Sequence, residues 1–376
     1  MSKGEPGSGD PNCGRPDNTR GQQANSAIQA CGRPAQPGVH GRCTRRGSGM
    51  NVRRHGWWML AVLLALPAWG LAGDAPPDSQ AQMRAAMEWL ATPWSDAQEN
   101  ALEARQPLTD RKALLHLPGS TRAYSRDQLA SMVPDWWPQD HPPMPPIVAI
   151  GRDTAMPCAE CHFPNGAGLP HTASLAGLPA AYILEQLKAF RDGSRANDEM
   201  HAEALDVSDT DLQQAVRYFS GLQLALARAR VVEAARVPKT RIESWMLVPV
   251  RGAISEPIGD RVIELPLDVD QLRLGDARMR FVAYVPPGSL ARGRVLASTG
   301  AGTITACTAC HGADLRGMAD IPPLAGRSPT YLTRQLVQFA LGGRHGPAVL
   351  PMQQEVSRLT FNDMISVAAY AGSLKP

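Results

Sequence analysis

The pattern Cys-x-x-Cys-His occurs twice, as CAECH from Cys158 and CTACH from Cys307, and nothing else in the chain constrains its fold as strongly. Of the seven cysteines, four belong to these motifs, and the other three (Cys13, Cys31, Cys43) lie near the N-terminus. A zinc site usually needs a second Cys or His pair close by, and neither motif has one at a typical zinc spacing. A thioredoxin-like dithiol belongs beside a βαβ pattern, which is missing here. Covalent haem attachment accounts for every position. The two thiols add to the porphyrin vinyl groups, and the adjacent histidine, His162 or His311, ligates the iron. Two motifs predict two covalently bound haem c groups.

Covalent haem of this kind is assembled outside the cytoplasm. Residues 50–72, MNVRRHGWWMLAVLLALPAWGLA, have the layout of an export signal: Arg53 and Arg54, an apolar run from Trp57, and a small-x-small end. The apolar run contains Pro67 and is shorter than the roughly 20 residues of a spanning helix. A cleaved signal, a periplasmic location and no stable membrane span after cleavage are therefore expected. Residues 1–49 show no periodicity and read as a gene-start artefact or a disordered extension. The full chain carries a formal net charge of +3, but 1–49 hold seven basic and three acidic residues and the signal two arginines, leaving −3 from Gly73 onward. No basic patch suited to nucleic acid remains.

Laid on each other from Cys158 and Cys307, the two stretches align without a gap for 38 positions, 13 of them identical. Beyond the motif these are Gly168/Gly317, the Leu-Ala-Gly tripeptides at 175–177 and 324–326, and Tyr182/Tyr331. Gln186/Gln335, Leu187/Leu336, Phe190/Phe339, Gly193/Gly342 and Arg195/Arg344 complete the set. A duplicated domain is the direct reading. AAYILEQLKAF and PTYLTRQLVQF space their apolar residues as one helical stripe, ended by Gly193 and Gly342. DTDLQQAVRYFSGL and FNDMISVAAYAGSL predict a second helix in each copy.

With haem motif, Leu-Ala-Gly loop, tyrosine helix, methionine loop and terminal helix, each copy resembles a class I c-type cytochrome. The tandem arrangement resembles the two-domain di-haem cytochromes of bacterial periplasms. The likeness implies a mainly α fold: two cytochrome c domains, 150–222 and 288–376, joined by an extended, β-containing insert at 223–287. A helical extension and Pro-rich strap at 73–149 precede them. It also implies a methionine as second axial ligand, in the loop before the last helix. Met200 lies 38 positions beyond His162 and Met352 lies 41 beyond His311, and Tyr218 and Tyr370 each follow their methionine by 18. His201 is the rival ligand in the first copy and His171 a weaker one; Met156, Met318 and Met364 are less suitably placed. The family orients its ligand histidine through a carbonyl often supplied by proline, a place held by Ala173 and Pro322. Arg195 and Arg344 are candidates to neutralise haem propionates, the alternative being solvated arginines after a helix. Tyr182 and Tyr331 read as packing residues with a polar tip.

Outside the repeats, residues 78–115 read as helical. DWWPQDHPPMPP (135–146) reads as an extended, tryptophan-anchored strap, because its prolines exclude a continuous helix. RVIELPLDV and MRFVAYVPP contain short β-like runs, a hairpin or extended arm, and the insert they lie in reads as a structural brace. A His/Met iron has no vacant position for substrate and a potential suited to electron transfer. The expected function is single-electron transfer between redox partners such as a terminal oxidase, a small cytochrome or a periplasmic dehydrogenase. The competing readings are a di-haem enzyme resembling cytochrome c peroxidase and a cytochrome subunit of a dehydrogenase.

Overall fold

In the computed structural model of the protein, which describes residues 77–90, 111–243 and 246–376, the two copies of the repeat fold alike. In each, a single helical turn holds the motif (Cys158–His162, Thr308–His311) and a 12-residue helix carries the tyrosine (Ala180–Arg191, Pro329–Ala340). A shorter helix then carries the methionine (Asp198–Asp206, Leu350–Val356), and a 13-residue terminal helix closes the copy (Asp209–Gly221, Phe361–Ser373). Side-chain caps set several of the starts. Ser328 accepts from the Tyr331 N–H, Asn197 from Met200 and Ser208 from Asp211, while Thr360 and Asp363 form a reciprocal capping box. Gly193 and Gly342 follow the tyrosine helices at φ +79° and +77°, the left-handed geometry that stops a helix at glycine.

The copies differ at their openings. Helix Ser289–Thr299 crosses the terminal helix Phe361–Ser373 at Gly293, where an added Cβ would lie 1.9 Å from the Ser366 carbonyl oxygen. Only glycine allows so close a crossing. In the first copy the corresponding element is one turn, Pro146–Ala149, because Pro142, Pro143, Pro145 and Pro146 leave no room for more. Ile147 and Val148 from that turn are fully buried in a core with Leu212, Val216 and Phe219.

Between the copies lies a three-stranded sheet in the order Ala229–Glu233, Phe281–Val285, Ile263–Pro266. The runs within RVIELPLDV and MRFVAYVPP pair antiparallel, Ile263 opposite Tyr284. Ala229–Glu233 joins the other side of Phe281–Val285 in parallel, so the chain between them forms a crossover that contains two small antiparallel pairs, Arg236–Pro238 with Ser255–Pro257 and Thr240–Glu243 with Met246–Pro249. The strap at 135–146 is extended apart from one 3₁₀ turn, Pro138–Asp140. Its tryptophans are buried and fastened to the insert. The Trp136 indole N–H donates to the Leu274 carbonyl (2.7 Å), that of Trp137 donates to Asp276 (2.6 Å), and the Arg278 guanidinium lies 3.9 Å over the Trp137 ring.

One expectation changes. The helical reading of 78–115 holds for Pro77–Leu90, whereas Leu114–His116 is a strand paired antiparallel with Ala123–Ser125. Pro118 and Gly119 (φ +83°) supply a turn there that helical periodicity could not continue through. Residues 1–76, including the expected export signal, and 91–110 lie outside the described residues. Among the described residues no helix is long and apolar enough to cross a membrane. The Pro77–Leu90 helix buries Met83, Ala86 and Leu90 in the core of the second copy, with Val337, Phe339, Phe361 and Met364, and Trp89 meets Phe361 edge to face at 6.2 Å.

Candidate haem sites

Both motif histidines are buried and held in the same way. His162 Nδ1 lies 2.9 Å from the Ala173 carbonyl oxygen, and His311 Nδ1 lies 2.9 Å from that of Pro322, each eleven positions onward. A carbonyl only accepts, so Nδ1 carries the proton and Nε2 keeps its lone pair for a metal. The carbonyl bond favours protonation, but burial outweighs it and keeps both rings below the usual histidine value, hence neutral. Glycine makes room for each supporting loop. A Cβ on Gly168 (φ +65°) would lie 2.5 Å from the Ala173 oxygen, and one on Gly317 (φ +85°) 2.7 Å from the Ile321 oxygen. After each histidine the backbone turns through the same positive-φ conformation, Gly312 at φ +84° and, unusually for a bulky residue, Phe163 at φ +61°. Phe163 is buried among Trp136, Trp137 and Phe281, so packing against the strap and insert holds it there.

Burial pushes the thiols of Cys158 up to about 12 and of Cys161 and Cys307 to about 11. A dithiol redox pair works through a depressed thiol pKa, the opposite environment. Among the described residues no three His, Cys, Asp or Glu side chains gather as a metal site of their own. Met200 and Met352, both half-buried, occupy equivalent short helices between the tyrosine and terminal helices. The His201 ring, next to Met200, is tied through Nδ1 to the Phe190 carbonyl at 2.7 Å. Burial, reinforced by Arg334 and His162, pushes His171 down to about 3.

Arg195 and Arg344 are not solvated. They are 6% and 4% exposed and face each other where the copies meet. The two residues form an antiparallel bridge, flanked by Ala196 N–H to Gly343 oxygen (2.7 Å) and His345 N–H to Ser194 oxygen (2.9 Å). Each guanidinium donates to both Gln186 and Gln335, at 2.8 and 2.7 Å from Arg195 and at 2.6 and 3.1 Å from Arg344. Arg195 also donates to the Tyr331 hydroxyl (2.9 Å). Burial alone would raise Tyr331, yet Arg195, Arg344 and Arg334 together lower it. No carboxylate among the described residues pairs with Arg195 or Arg344, and Nε of Arg344 and of Arg334 are buried without a hydrogen-bond partner. Buried cations with unused donors fit an anionic group such as a haem propionate. Sequence comparison found the two arginines, and the paired glutamines were visible as identities, but nothing in the sequence showed that the four meet. Arg228, Arg327 and Arg334 were missed because they have no counterparts in the other copy.

The cytochrome c family model matches residues 291–375. Cytochrome c4 of Pseudomonas aeruginosa is 24% identical over 230 residues, 60% of this chain and 88% of that protein. A thiosulfate dehydrogenase electron acceptor of Stutzerimonas stutzeri is 27% identical over 219 residues, 57% of this chain and 78% of its own. Cytochrome c-554(548) of Halomonas halodenitrificans is 37% identical over 78 residues, 20% of this chain but 94% of that protein. Matched over nearly the whole of that last relative, the chain belongs to the cytochrome c family, electron-transfer proteins that hold iron in covalently bound haem.

Proposed function

We propose that the protein is a periplasmic di-haem electron carrier, with one class I cytochrome c domain at 150–222, a second at 288–376, and 223–287 as a brace between them. The observation that carries this reading is the identical support of the two motif histidines, each with Nδ1 2.9 Å from a carbonyl eleven positions away. The alignment with cytochrome c4, 230 residues long, exceeds the length of either copy and supports the tandem arrangement.

When bound, haem iron supplies a one-electron couple whose potential depends on its axial ligands and surroundings. Cys158 and Cys161 fasten one haem and Cys307 and Cys310 the other. His162 and His311 offer Nε2 to the iron, with ring orientation fixed from behind. Met200 and Met352, on equivalent short helices, would be the second protein ligands of the irons. The Nδ1 bond of His201 fastens the methionine helix to the end of the tyrosine helix. Arg195 and Arg344 would hold haem propionates where the copies meet. With a histidine and a methionine holding each iron, no position would be left for substrate, and each haem would supply single-electron exchange with docked partners. The relatives named as electron acceptors of thiosulfate dehydrogenase support a periplasmic dehydrogenase as donor, with a small cytochrome or terminal oxidase as acceptor.

The test is the protein matured with haem-attachment machinery. It should carry two haems that survive denaturation, bind carbon monoxide slowly or not at all when reduced, and exchange electrons rapidly with a small cytochrome. Saturable peroxide reduction that depends on one haem being reduced would replace the carrier reading with a di-haem peroxidase.

A further inference from the structure

The two histidine-supporting loops are tied together by one buried side chain, Arg327, which is 5% exposed. Its Nε donates to the Pro323 carbonyl at 2.7 Å, one residue beyond the carbonyl that holds His311. Its Nη1 donates to the Ser174 carbonyl and its Nη2 to that of Ala176 at 3.1 Å, just beyond the carbonyl that holds His162. Among the described residues no carboxylate accepts from it, and all three partners are backbone carbonyls. The position aligned with Arg327 in the first copy is Leu178, so a single guanidinium serves both sites, without a symmetric twin.

Two more arginines bind the same loop of the first copy. Arg228 donates to the Gly168 carbonyl (2.8 Å) and Arg334 to that of His171 (2.7 Å). Of the two histidine-supporting loops, these two guanidiniums bond only to carbonyls of the first, whereas that of Arg327 bonds to both. A guanidinium stays protonated when buried, and charges in the interior are screened far less than at the surface. A fixed positive charge beside a metal site disfavours the more positive, oxidised state.

We propose that Arg327 is a shared tuning residue, whose buried charge, bonded to both histidine loops, raises the reduction potentials of the two haems together. The proposal rests on haem being bound at both motifs. It goes beyond the carrier reading by assigning joint control of the two sites to one residue. Neutralising Arg327 should move both potentials down in parallel, and changes at Arg228 or Arg334 should act on the first site alone.

The experiment uses the full-length, haem-loaded protein as wild type, Arg327→Gln and Arg327→Lys, with haem content measured on the same samples. Spectroelectrochemical titration then gives both midpoints. For Arg327→Gln, the reduced-to-oxidised ratio of each haem at fixed poise should fall about tenfold, which for a one-electron couple is about 59 mV. Arg327→Lys keeps the charge and should hold both ratios within about twofold of wild type. Unmoved potentials in the Gln variant, or movement of one haem alone, would overturn the proposal, as would a Lys variant that falls as far as Gln. Should the Gln variant not accumulate, the Lys variant decides by whether both potentials hold or fall. Fewer than two haems in the wild type would instead defeat the di-haem reading, an outcome that the haem measurement separates from the others.

Discussion

Gly168→Ala tests whether the first haem depends on the carbonyl behind His162. The new methyl group would lie 2.5 Å from the Ala173 oxygen, at a backbone φ of +65°. Reaching ordinary contact, about 3.4 Å, requires a shift of roughly 0.9 Å. The His162 Nδ1–Ala173 bond starts at 2.9 Å, so a shift of that size along it would stretch the pair beyond hydrogen-bonding distance. The left-handed backbone costs about 1–2 kcal/mol for a non-glycine residue and the lost bond about 0.5–1.5 kcal/mol. Together, about 1.5–3.5 kcal/mol should lower Tm by about 3–14 °C. Gly193→Ala is the control, because its φ is +79° but nothing lies within 4 Å of the added Cβ. It should show the backbone cost alone and leave both haem spectra unchanged. Thermal melts followed in the haem band, with spectroelectrochemistry of the first haem, separate the two variants. A Gly168→Ala protein that matches Gly193→Ala in Tm and keeps its first-haem spectrum and potential would refute the claim that this loop is fitted to the histidine.

Met352→Ala should abolish the second haem's share of the weak red-region sulfur-to-iron band and lower its potential, and Met200→Ala should do the same for the first; an unchanged spectrum in Met200→Ala alongside an altered one in His201→Ala would identify a bis-histidine first haem. Gly293→Ala should force apart the helices that cross at Ser366, lowering stability in urea by about 1–3 kcal/mol, while Gly221→Ala, with nothing within 4 Å of its Cβ, should not open any helix contact. Burial pushes His141 down, but its bonds to the Asp135 carboxylate (3.1 Å) and the Pro142 carbonyl outweigh this and leave it above the ordinary value. Its stabilisation of the strap is then fully present below about pH 6.5 and lost as pH rises through the raised folded value, a slope that Asp135→Asn should flatten in thermal melts.

Periodicity and repetition made the helical parts of both copies readable, because each tyrosine and terminal helix presents one apolar stripe and carries its own punctuation at Gly193, Gly342, Ser208 or Thr360. The haem-attachment residues were readable for a different reason: the chemistry demands adjacent cysteines and histidine, so the site is local. What escaped was set by long-range pairing. Strand Ala229–Glu233 is a short mixed run, ARVVE, with Arg230 and Glu233 flanking two valines, and only its parallel register with Phe281–Val285 makes it a strand. The tryptophans of the strap announced burial but not their partners, Leu274 and Asp276. Arg327 is, in sequence, one charged residue before a helix, aligned with Leu178 in the first copy. Its importance comes from carbonyls about 150 positions away that no local pattern reveals.

The packing of helix Pro77–Leu90 against Phe361 and Met364 also constrains the order of assembly. The last domain to emerge completes its core with one of the earliest described segments, while the parallel pairing of Ala229–Glu233 with Phe281–Val285 spans the middle of the chain. Contacts so distant in sequence form late, because their loop-closure entropy must be met before they contribute. The helices within each domain can therefore pair early, whereas the core of the second remains incomplete until the Pro77–Leu90 segment returns to it. Cys307 packs against that same core, so its surroundings would be among the last to close.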